Sequence, residues 1–131
     1  SEKAERFLID ALETGEKEDE TRLILSNLYL NEEMYEEAIE VIEGLENPDH
    51  PYALWNLAQA HYHLEDYHLA AKYYDEASDL LSEDAEFLKE YGLFLREEGR
   101  LREAKTILTT YLQFEPGDLE ALSILEDLLE R

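Results

Sequence analysis

Cysteine is absent from the 131 residues of this chain, and so are long apolar runs. Without cysteine there can be no disulfide framework, no thiol nucleophile and no thiolate metal site. No run of about 18 apolar residues marks a membrane-spanning helix, and no signal peptide is visible. We therefore expect a cytoplasmic protein that does not associate with membranes.

Basic residues are scarce. Eleven lysines and arginines accompany 34 aspartates and glutamates, so the formal net charge is −23. Nucleic acids and anionic membranes bind to basic surfaces, and this imbalance excludes both as partners. The charge favours a protein or peptide partner that carries basic residues, in an association that weakens as salt rises. The alternative, a solvated acidic exterior that is unrelated to any partner, stays open.

The apolar residues of this acidic chain are numerous and regularly spaced, which argues against disorder. They make up 44% of the sequence, and between Ala53 and Ala77 they follow two helical patterns separated by a polar break at residues 65–66. Small residues at Ala58 and Ala70 would let two helix backbones approach closely. This stretch therefore predicts an antiparallel helix hairpin.

The hairpin pattern recurs along the chain. Inner alanines are spaced by 34, 32 and 34 residues, at Ala4, Ala38, Ala70 and Ala104. A large side chain follows each alanine four positions later, at Leu8, Ile42, Tyr74 and Leu108. A small residue also recurs in the preceding helices, at Ser26, Ala58 and Gly92. Because one hairpin cannot bury both of its faces, this period predicts stacked hairpins.

The period resembles that of the tetratricopeptide repeat (TPR) family, whose unit is a helix–turn–helix of 34 residues. The third unit carries the resemblance best, through Leu88, Tyr91, Gly92, Leu95, Gly99, Ala104, Leu108 and Pro116. The tryptophan column of the family is not kept, and Trp55 lies one residue beyond it. The resemblance implies an all-α fold, a right-handed superhelical solenoid of antiparallel helix hairpins with about three TPR units plus flanking helices.

On this basis we predict a single TPR domain over residues 1–131. Its parts are the second helix of a truncated upstream repeat (2–14), repeat 1 (19–50), repeat 2 (51–84), repeat 3 (85–118) and a terminal capping helix (119–131). Because the first helix has no partner helix before it, Phe7 and Leu8 are expected to lie near a surface that an upstream repeat would cover.

Several helix ends are also predicted. Asp19 and Asp49 are expected to cap the first helices of repeats 1 and 2. The second helix of repeat 1 is expected to run from about Tyr35 to Glu46. Gly44 inside it is expected to cost roughly 1 kcal/mol relative to alanine, unless close packing needs a glycine there. Gly99 is expected to end a helix in the left-handed conformation.

In the TPR family the first helices line a concave groove. Carried onto this chain, the groove positions are Leu23, Asn27, Leu30, Asn31, Tyr52, Trp55, Gln59, Tyr62, His63, Glu86, Lys89, Leu93, Arg96 and Glu97. Independently, Tyr52, Trp55 and Tyr62 recur on one helix face that differs from the core stripe. Aromatic residues beyond the core predict an interface. The alternative is that Trp55 and Tyr62 pack against neighbouring helices.

Lys89 and Arg96 are spaced i, i+7 and share a helix face in an otherwise acidic molecule. One interpretation is a pocket for a carboxylate or an acidic peptide side chain. The other is internal pairing with Glu86, Glu90 or Glu97.

Chaperone-binding members of the family hold a C-terminal carboxylate with two asparagines and three basic residues. Asn27 and Asn56 match the asparagine places, whereas the basic places hold Leu23, Glu86 and Glu90. Carboxylates at two of these places would repel a terminal carboxylate, so we predict that chaperone tails are not bound.

The sequence carries no motif for catalysis or metal binding. His61 and His63 point about 160° apart on a helix, so they cannot easily share an ion, and His61 falls in a core column. No phosphate loop, Ser-His-Asp pattern or zinc motif is present. We therefore predict no cofactor, no metal and no enzymatic activity.

The sequence predicts a protein-interaction module that binds a peptide or a partner segment in its groove. The alternative is structural self-association, which would form dimers or longer arrays through the end helices. The last helix supports this alternative because its apolar residues wrap much of its circumference, at Leu119, Leu122, Ile124, Leu125, Leu128 and Leu129.

Overall fold

A computed structural model describes residues 2–14 and 18–130 of the chain; Ser1, residues 15–17 and Arg131 lie outside it, and with them the two ends of the predicted domain. The described residues form eight α-helices and no strand, so the all-α prediction is confirmed. The helices are α1 (Glu2–Thr14), α2 (Glu18–Asn31), α3 (Tyr35–Glu43), α4 (Pro51–His63), α5 (Tyr67–Ser78), α6 (Ala85–Glu97), α7 (Leu101–Phe114) and α8 (Leu119–Leu129).

The helices fall into two compact units, one ending at Ala77 and the other beginning at Ser78. In the first unit, α2 packs against α1, α3 and α4, and α3 also packs against α4. Helix α5 contacts α4 through the ring pairs His61–Tyr73 and Tyr62–Tyr67. In the second unit, α7 packs against both α6 and α8. The predicted helix hairpins are therefore present as α2–α3, α4–α5 and α6–α7.

The turns of the three hairpins share one backbone conformation. Glu33, Glu65 and Gly99 have φ values of 61°, 64° and 78°, all in the left-handed region. In each turn the next amide N–H donates back to a carbonyl five positions earlier: Met34 to Tyr29 at 2.8 Å, Asp66 to His61 at 2.9 Å and Arg100 to Leu95 at 2.9 Å. These are the hydrogen bonds of a Schellman motif. The left-handed Gly99 is confirmed, and two glutamates adopt the same conformation.

The recurring small residues lie in the core. Ala38, Ala70 and Ala104 are fully buried, as are Ser26 and Ala58 of the preceding helices. Because alanine and serine have short side chains, the backbones of adjacent helices can come close at these positions. The periodicity therefore identified the core correctly in α2 to α7.

Helix α1 departs from the periodic pattern. Ala4 is exposed, unlike the alanines at the corresponding places of the later helices. Leu8 is only 8% exposed and packs with Leu25, Tyr29 and Ala38, so the expectation that it lies at an uncovered surface is wrong. Phe7, its neighbour, is 72% exposed, as expected.

Helix α3 ends at Glu43 rather than near Glu46, and side chains of α2 form hydrogen bonds to the backbone around and beyond this end. Asp19 does not cap α2, which begins one residue earlier. Its carboxylate instead accepts the backbone N–H groups of Glu46 and Asn47, at 2.9 and 3.1 Å. The predicted cap is therefore wrong, and Asp19 stabilises the connection between α3 and α4 instead.

Gly44 lies just beyond α3, where it makes room for Arg22. The Nη1 atom of Arg22 donates to the Val41 carbonyl at 2.9 Å, and a Cβ atom on Gly44 would lie 2.2 Å from that nitrogen. Glycine at this position is therefore explained by the close approach of the Arg22 guanidinium group. It does not lie inside the helix, where it would lower helix stability.

The start of α4 also differs from the prediction. His50, not Asp49, is the N-cap, and its Nδ1 atom accepts the Tyr52 N–H at 3.2 Å. The reason is Pro51: its fixed φ and missing N–H suit the first helical position, which makes the preceding residue the cap. Asp118 is the N-cap of α8, and its Oδ1 atom accepts the Ala121 N–H at 3.1 Å.

Candidate functional site

Helix α4 presents an aromatic face to solvent. Its opposite face is buried through Ala53, Leu54, Leu57 and Ala58. Tyr52 is 47% exposed, and Trp55, Gln59 and Tyr62 are half-buried. The rings of Tyr52 and Trp55 stack with their centroids 6.2 Å apart and their planes at 29°. The structure thus places these four predicted site residues together, with solvent-accessible surface left on each.

The C-terminal end of α4 continues this face into a cluster of rings. His63 is exposed and stacks on Tyr35 of α3, with 4.7 Å between centroids and 10° between planes. Tyr62 meets the ring of His63 edge-on at 5.4 Å and that of Tyr67 at 5.6 Å. Three helices of the first unit therefore contribute rings to one cluster, which limits the rotamers open to Tyr62 and His63.

His61 is not the interior residue that its core column predicted. It is half-buried, and its ring stacks on Tyr73 of α5 at 5.5 Å. The Nζ atom of Lys72 lies 4.9 Å from the centroid of the same tyrosine ring. The contact lies where α4 and α5 meet at the protein surface. His61 therefore keeps some solvent-accessible surface, although its place in the repeat is a core position.

Helix α2 contributes residues of two kinds to the candidate site. Asn27 and Asn31 are exposed. Leu23 is half-buried and packs against the core cluster of Ile42, Leu45, Ala53 and Leu57. Much of the Leu23 side chain is therefore packed in the core. Its groove position in the repeat does not indicate this burial.

Asn56 and Ser26 form a buried polar pair between α4 and α2. Asn56 is 5% exposed and donates from Nδ2 to the Ser26 Oγ atom at 2.9 Å. The Ser26 hydroxyl in turn donates to the Leu23 carbonyl at 2.8 Å. Asn56 matches an asparagine place of the chaperone clamp, but here its amide holds two helices together.

On the second unit, Lys89 forms ion pairs inside the protein. Its Nζ atom lies 2.8 Å from Asp118 Oδ2 and 3.1 Å from Glu120 Oε1. These contacts, with Asp118 first, raise the pKa of Lys89 above its ordinary value. Lys89 is therefore paired inside the protein, but these ion pairs are to Asp118, the N-cap of α8, and to Glu120 of α8, neither of which was among the predicted partners. Leu93 and Arg96, on the same helix, are half-buried.

Asp118 joins three helices of the second unit. Besides Lys89 of α6, its Oδ2 atom accepts the Tyr111 hydroxyl of α7 at 2.5 Å, and Oδ1 caps α8. Lys89 above all, followed by the Tyr111 hydroxyl, holds the pKa of Asp118 well below its usual range. The bond to Asp118 raises the pKa of Tyr111. The Pro116-Gly117-Asp118 sequence is typical of a turn followed by a helix cap, but it does not indicate these longer-range partners.

Beside Lys89 lies a cavity of about 430 Å³ on the second unit. Its described lining consists of Ala85, Glu86, Lys89, Glu90, Leu93, Tyr111 and Glu115. Lys89 and Leu93 were predicted site residues, whereas Tyr111 and Glu115 come from the end of α7. The repeat pattern assigns groove positions to first helices only, so it could not indicate a wall formed by a second helix.

Residues 2–14 and 18–130 contain no cluster of potential metal ligands and no helix that could span a membrane. No group of three or more histidine, cysteine, aspartate or glutamate side chains is placed to hold an ion there. His61 and His63 contact different tyrosines, Tyr73 and Tyr35. None of the described helices combines the length and the apolar character that crossing a bilayer requires.

The repeated hairpins, the buried alanine column and the Schellman turns together define a tetratricopeptide repeat protein. A family model described as YpiA-like, C-terminal tetratricopeptide repeats matches residues 51–118, which is more than half of the chain. The chain belongs to this family. No curated protein matches it.

Solved structures with the same fold are similar to this chain at low sequence identity. The first TPR of Spaghetti (RPAP3) bound to the HSP90 peptide SRMEEVD is 23% identical, with 87% of this chain and 92% of that chain covered and a TM-score of 0.74. The MamA protein is 20% identical, with 96% and 70% covered and a TM-score of 0.80. The first TPR domain of human RPAP3 is 24% identical, with 83% and 87% covered and a TM-score of 0.67.

Proposed function

We propose that this chain is a non-catalytic module that binds a peptide or a segment of a partner protein. The proposed contact residues are Leu23, Asn27, Asn31, Tyr52, Trp55, Gln59, Tyr62 and His63 on the first unit, and Lys89, Leu93 and Arg96 on the second. One observation carries the proposal. The stacked Tyr52 and Trp55 rings keep solvent-accessible surface on α4, whereas the opposite face of that helix is buried in the core.

The chemistry of this face suits polypeptide binding. Tyrosine and tryptophan contribute a large contact area at a small cost in side-chain entropy, because each has only two rotatable side-chain bonds. The stacking of Tyr52 on Trp55, and the contacts of Tyr62 with His63 and Tyr67, restrict these rings before any partner arrives. A face that is ordered in advance loses less entropy on binding.

The proposed partner differs from the peptide bound by the structural neighbour. That peptide, SRMEEVD, ends in acidic residues. Here Glu86 and Glu90 stand at basic places of the chaperone clamp, and the Asn56 amide is occupied by Ser26. With a net charge of −23, the module should repel an acidic tail and attract a partner that carries basic residues. A cytoplasmic location is part of the proposal.

The proposal is tested by partner capture. The protein is used as bait in an extract of its source cells, and captured proteins are identified by mass spectrometry. Trp55→Ala and Tyr62→Ala should each lose the captured partner, because truncating a central aromatic residue typically costs about 2 kcal/mol or more of binding energy. Phe7→Ala, at a 72% exposed aromatic residue outside the proposed face, is the matched control.

Thermal unfolding of each variant is measured beside the capture. Loss of the partner at an unchanged melting temperature supports the proposal. If Trp55→Ala and Tyr62→Ala keep the partner, or if their capture and thermal stability fall together, the α4 face is not the binding surface.

Self-association is a second candidate, favoured by exposed apolar side chains on the end helices. Phe7 of α1 is 72% exposed, and Leu119 and Leu129 of α8 are 76% and 64% exposed. Copies that cover such residues would form dimers or longer arrays. Light scattering over a range of protein concentrations tests this candidate, and a monomer at every concentration would remove it.

A further inference from the structure

We propose that the cavity lined by α6 and α7 of the second unit binds the side chain of a lysine or arginine from a partner polypeptide. This inference rests on the proposed function and deepens it, because it names the chemistry of one partner residue. It is carried by the combination of an apolar wall, a carboxylate rim and a lining lysine whose charge is already compensated.

The apolar part of the cavity suits the stem of a basic side chain. Ala85, Leu93 and the ring of Tyr111 supply nonpolar surface. Lysine and arginine carry several methylene groups below the charged head, and these prefer to lie along such a surface while the head stays near water. The volume of about 430 Å³ falls within the range of about 300–1,000 Å³ found for ligand pockets.

The rim of the cavity supplies negative charge. Glu86 and Glu90 lie four residues apart on α6, so both carboxylates stand on the same side of that helix. Glu115 follows the last residue of α7 and adds a carboxylate from the other helix. A cation whose stem rests on the apolar wall would therefore have carboxylates on both sides of its head.

Lys89 is the one basic residue in the described lining, and its charge is already balanced. Its ammonium group lies 2.8 Å from Asp118 and 3.1 Å from Glu120. An anionic ligand would have to displace these two carboxylates and also approach Glu86, Glu90 and Glu115. The cavity thus selects against an acidic side chain or a chain terminus and in favour of a cation.

The probe for this inference is a fluorescein-labelled, end-blocked peptide of repeated Arg-Ser-Leu triplets. Its counterpart has every arginine replaced by citrulline, which has nearly the same shape but no charge. Binding is measured by fluorescence anisotropy at physiological ionic strength. The arginine peptide should bind at least about tenfold more tightly than the citrulline peptide, because several charge pairs of modest strength are lost together.

A pair of triple variants separates the cavity from the general acidity of the protein. The first is Glu86→Gln/Glu90→Gln/Glu115→Gln, at the cavity rim. The second is Glu83→Gln/Glu98→Gln/Glu126→Gln, at exposed positions of the same unit that are outside the described cavity lining. Removing three carboxylates changes the formal charge from −23 to −20 in both. The rim variant should raise the Kd for the arginine peptide about tenfold, and the second variant less than about twofold.

Several outcomes would overturn the inference. Equal weakening by both triple variants would mean that the peptide responds only to overall charge, and equal binding of the citrulline peptide would mean that the cation is not recognised. No measurable binding of the arginine peptide would also overturn it. The proposed function is judged separately: if the captured partner is lost in Trp55→Ala but kept in the rim variant, the cavity inference fails and the proposed function stands.

Discussion

Lys89 and Asp118 form an ion pair, with 2.8 Å between Nζ and Oδ2, that connects α6 to the start of α8. The same carboxylate accepts the Tyr111 hydroxyl and caps α8 through the Ala121 N–H. One side chain thus satisfies donors from three helices. Asp118 thereby links α6, α7 and α8 of the second unit. Its carboxylate also balances the charge of Lys89, which lines the cavity.

We predict that Asp118→Asn lowers the melting temperature at neutral pH. Asparagine is also a good helix N-cap, so the change removes mainly the charge that pairs with Lys89. The pKa of Asp118 is lower in the folded protein than its ordinary value of 3.8. The charged form therefore adds stability above that value, and this contribution is lost as the pH falls through the folded pKa. Circular dichroism melts over a pH series measure the difference between wild type and variant.

The difference should be constant from about pH 8 to pH 5 and should shrink below about pH 4. Asp79→Asn, at an exposed position of the same unit, controls for the loss of one negative charge. A difference that persists unchanged at the lowest measurable pH would contradict the assigned role of the Asp118 charge.

The buried pair of Ser26 and Asn56 predicts a non-additive mutant cycle. Ser26→Ala removes the acceptor of the Asn56 amide and should cost about 1–3 kcal/mol in the free energy of unfolding. Ser26→Ala/Asn56→Leu removes both polar partners and should cost less than the sum of the two single changes. Urea unfolding measures all four proteins. Additive single changes would mean that the hydrogen bond does not couple the two helices.

The left-handed turns predict a stabilising substitution. Non-glycine residues pay roughly 1–2 kcal/mol in this conformation, and Glu65 adopts it with φ 64°. Glu65→Gly should therefore raise the free energy of unfolding by up to about 1 kcal/mol, after the greater freedom of glycine in the unfolded chain is subtracted. Glu65→Gln, which removes the charge but keeps a side chain, is the control in chemical unfolding. Equal gains in both variants would assign the effect to charge instead of backbone conformation.

Gly92 and Gly117 predict opposite responses to alanine. A Cβ atom on Gly92 would lie 2.7 Å from Cδ2 and 2.8 Å from Cγ of Leu108, a fully buried residue. Gly92→Ala should therefore cost about 1–3 kcal/mol through overpacking. Gly117 has nothing within 4 Å of such an atom, so Gly117→Ala should leave the free energy of unfolding unchanged or slightly higher. Both are measured by urea unfolding, and an unaffected Gly92→Ala would show that the core yields at Leu108.

The excess of negative charge predicts stabilisation by salt. Between Arg22 and Lys72 the sequence contains no lysine or arginine, while glutamates crowd the first unit. Screening of this repulsion should raise the melting temperature as sodium chloride increases from low concentration to about 0.3 M. A melting temperature that falls steadily over this range would mean that attractive ion pairs outweigh the repulsion.

Local patterns were predictable wherever one repeat resembles the next. The alanine column and the hairpins follow from spacing alone, and Glu33, Glu65 and Gly99 stand at the same place of the period. The left-handed glutamates could therefore have been found by aligning the turns on Gly99. Predictions failed where a residue met neighbours outside its own helix. Leu8 packs against α2 and α3, and the Asp19 carboxylate accepts the backbone N–H of Glu46, beyond the end of α3.

The candidate site divides in the same way. The Tyr52 and Trp55 face could be predicted, since residues at i and i+3 share a helix face in any helix. The cavity beside Lys89 could not, because Tyr111 belongs to a second helix and Glu115 follows it, whereas the groove positions of the repeat belong to first helices. Nor could the partners of Lys89 be chosen from sequence, since several glutamates nearby along the chain were equally good candidates.

By itself the sequence determined the helix period, the hairpin pairing and the acidic character of this protein, because each depends on the order of residues along the chain. Only the tertiary structure decided that Asp118 is the partner of Lys89 and that Asn56 is buried against Ser26. It also decided that residues of α6 and Tyr111 of α7 line one cavity together with Glu115. The physical reason is that burial and charge pairing depend on distances through space, which residue order alone does not specify.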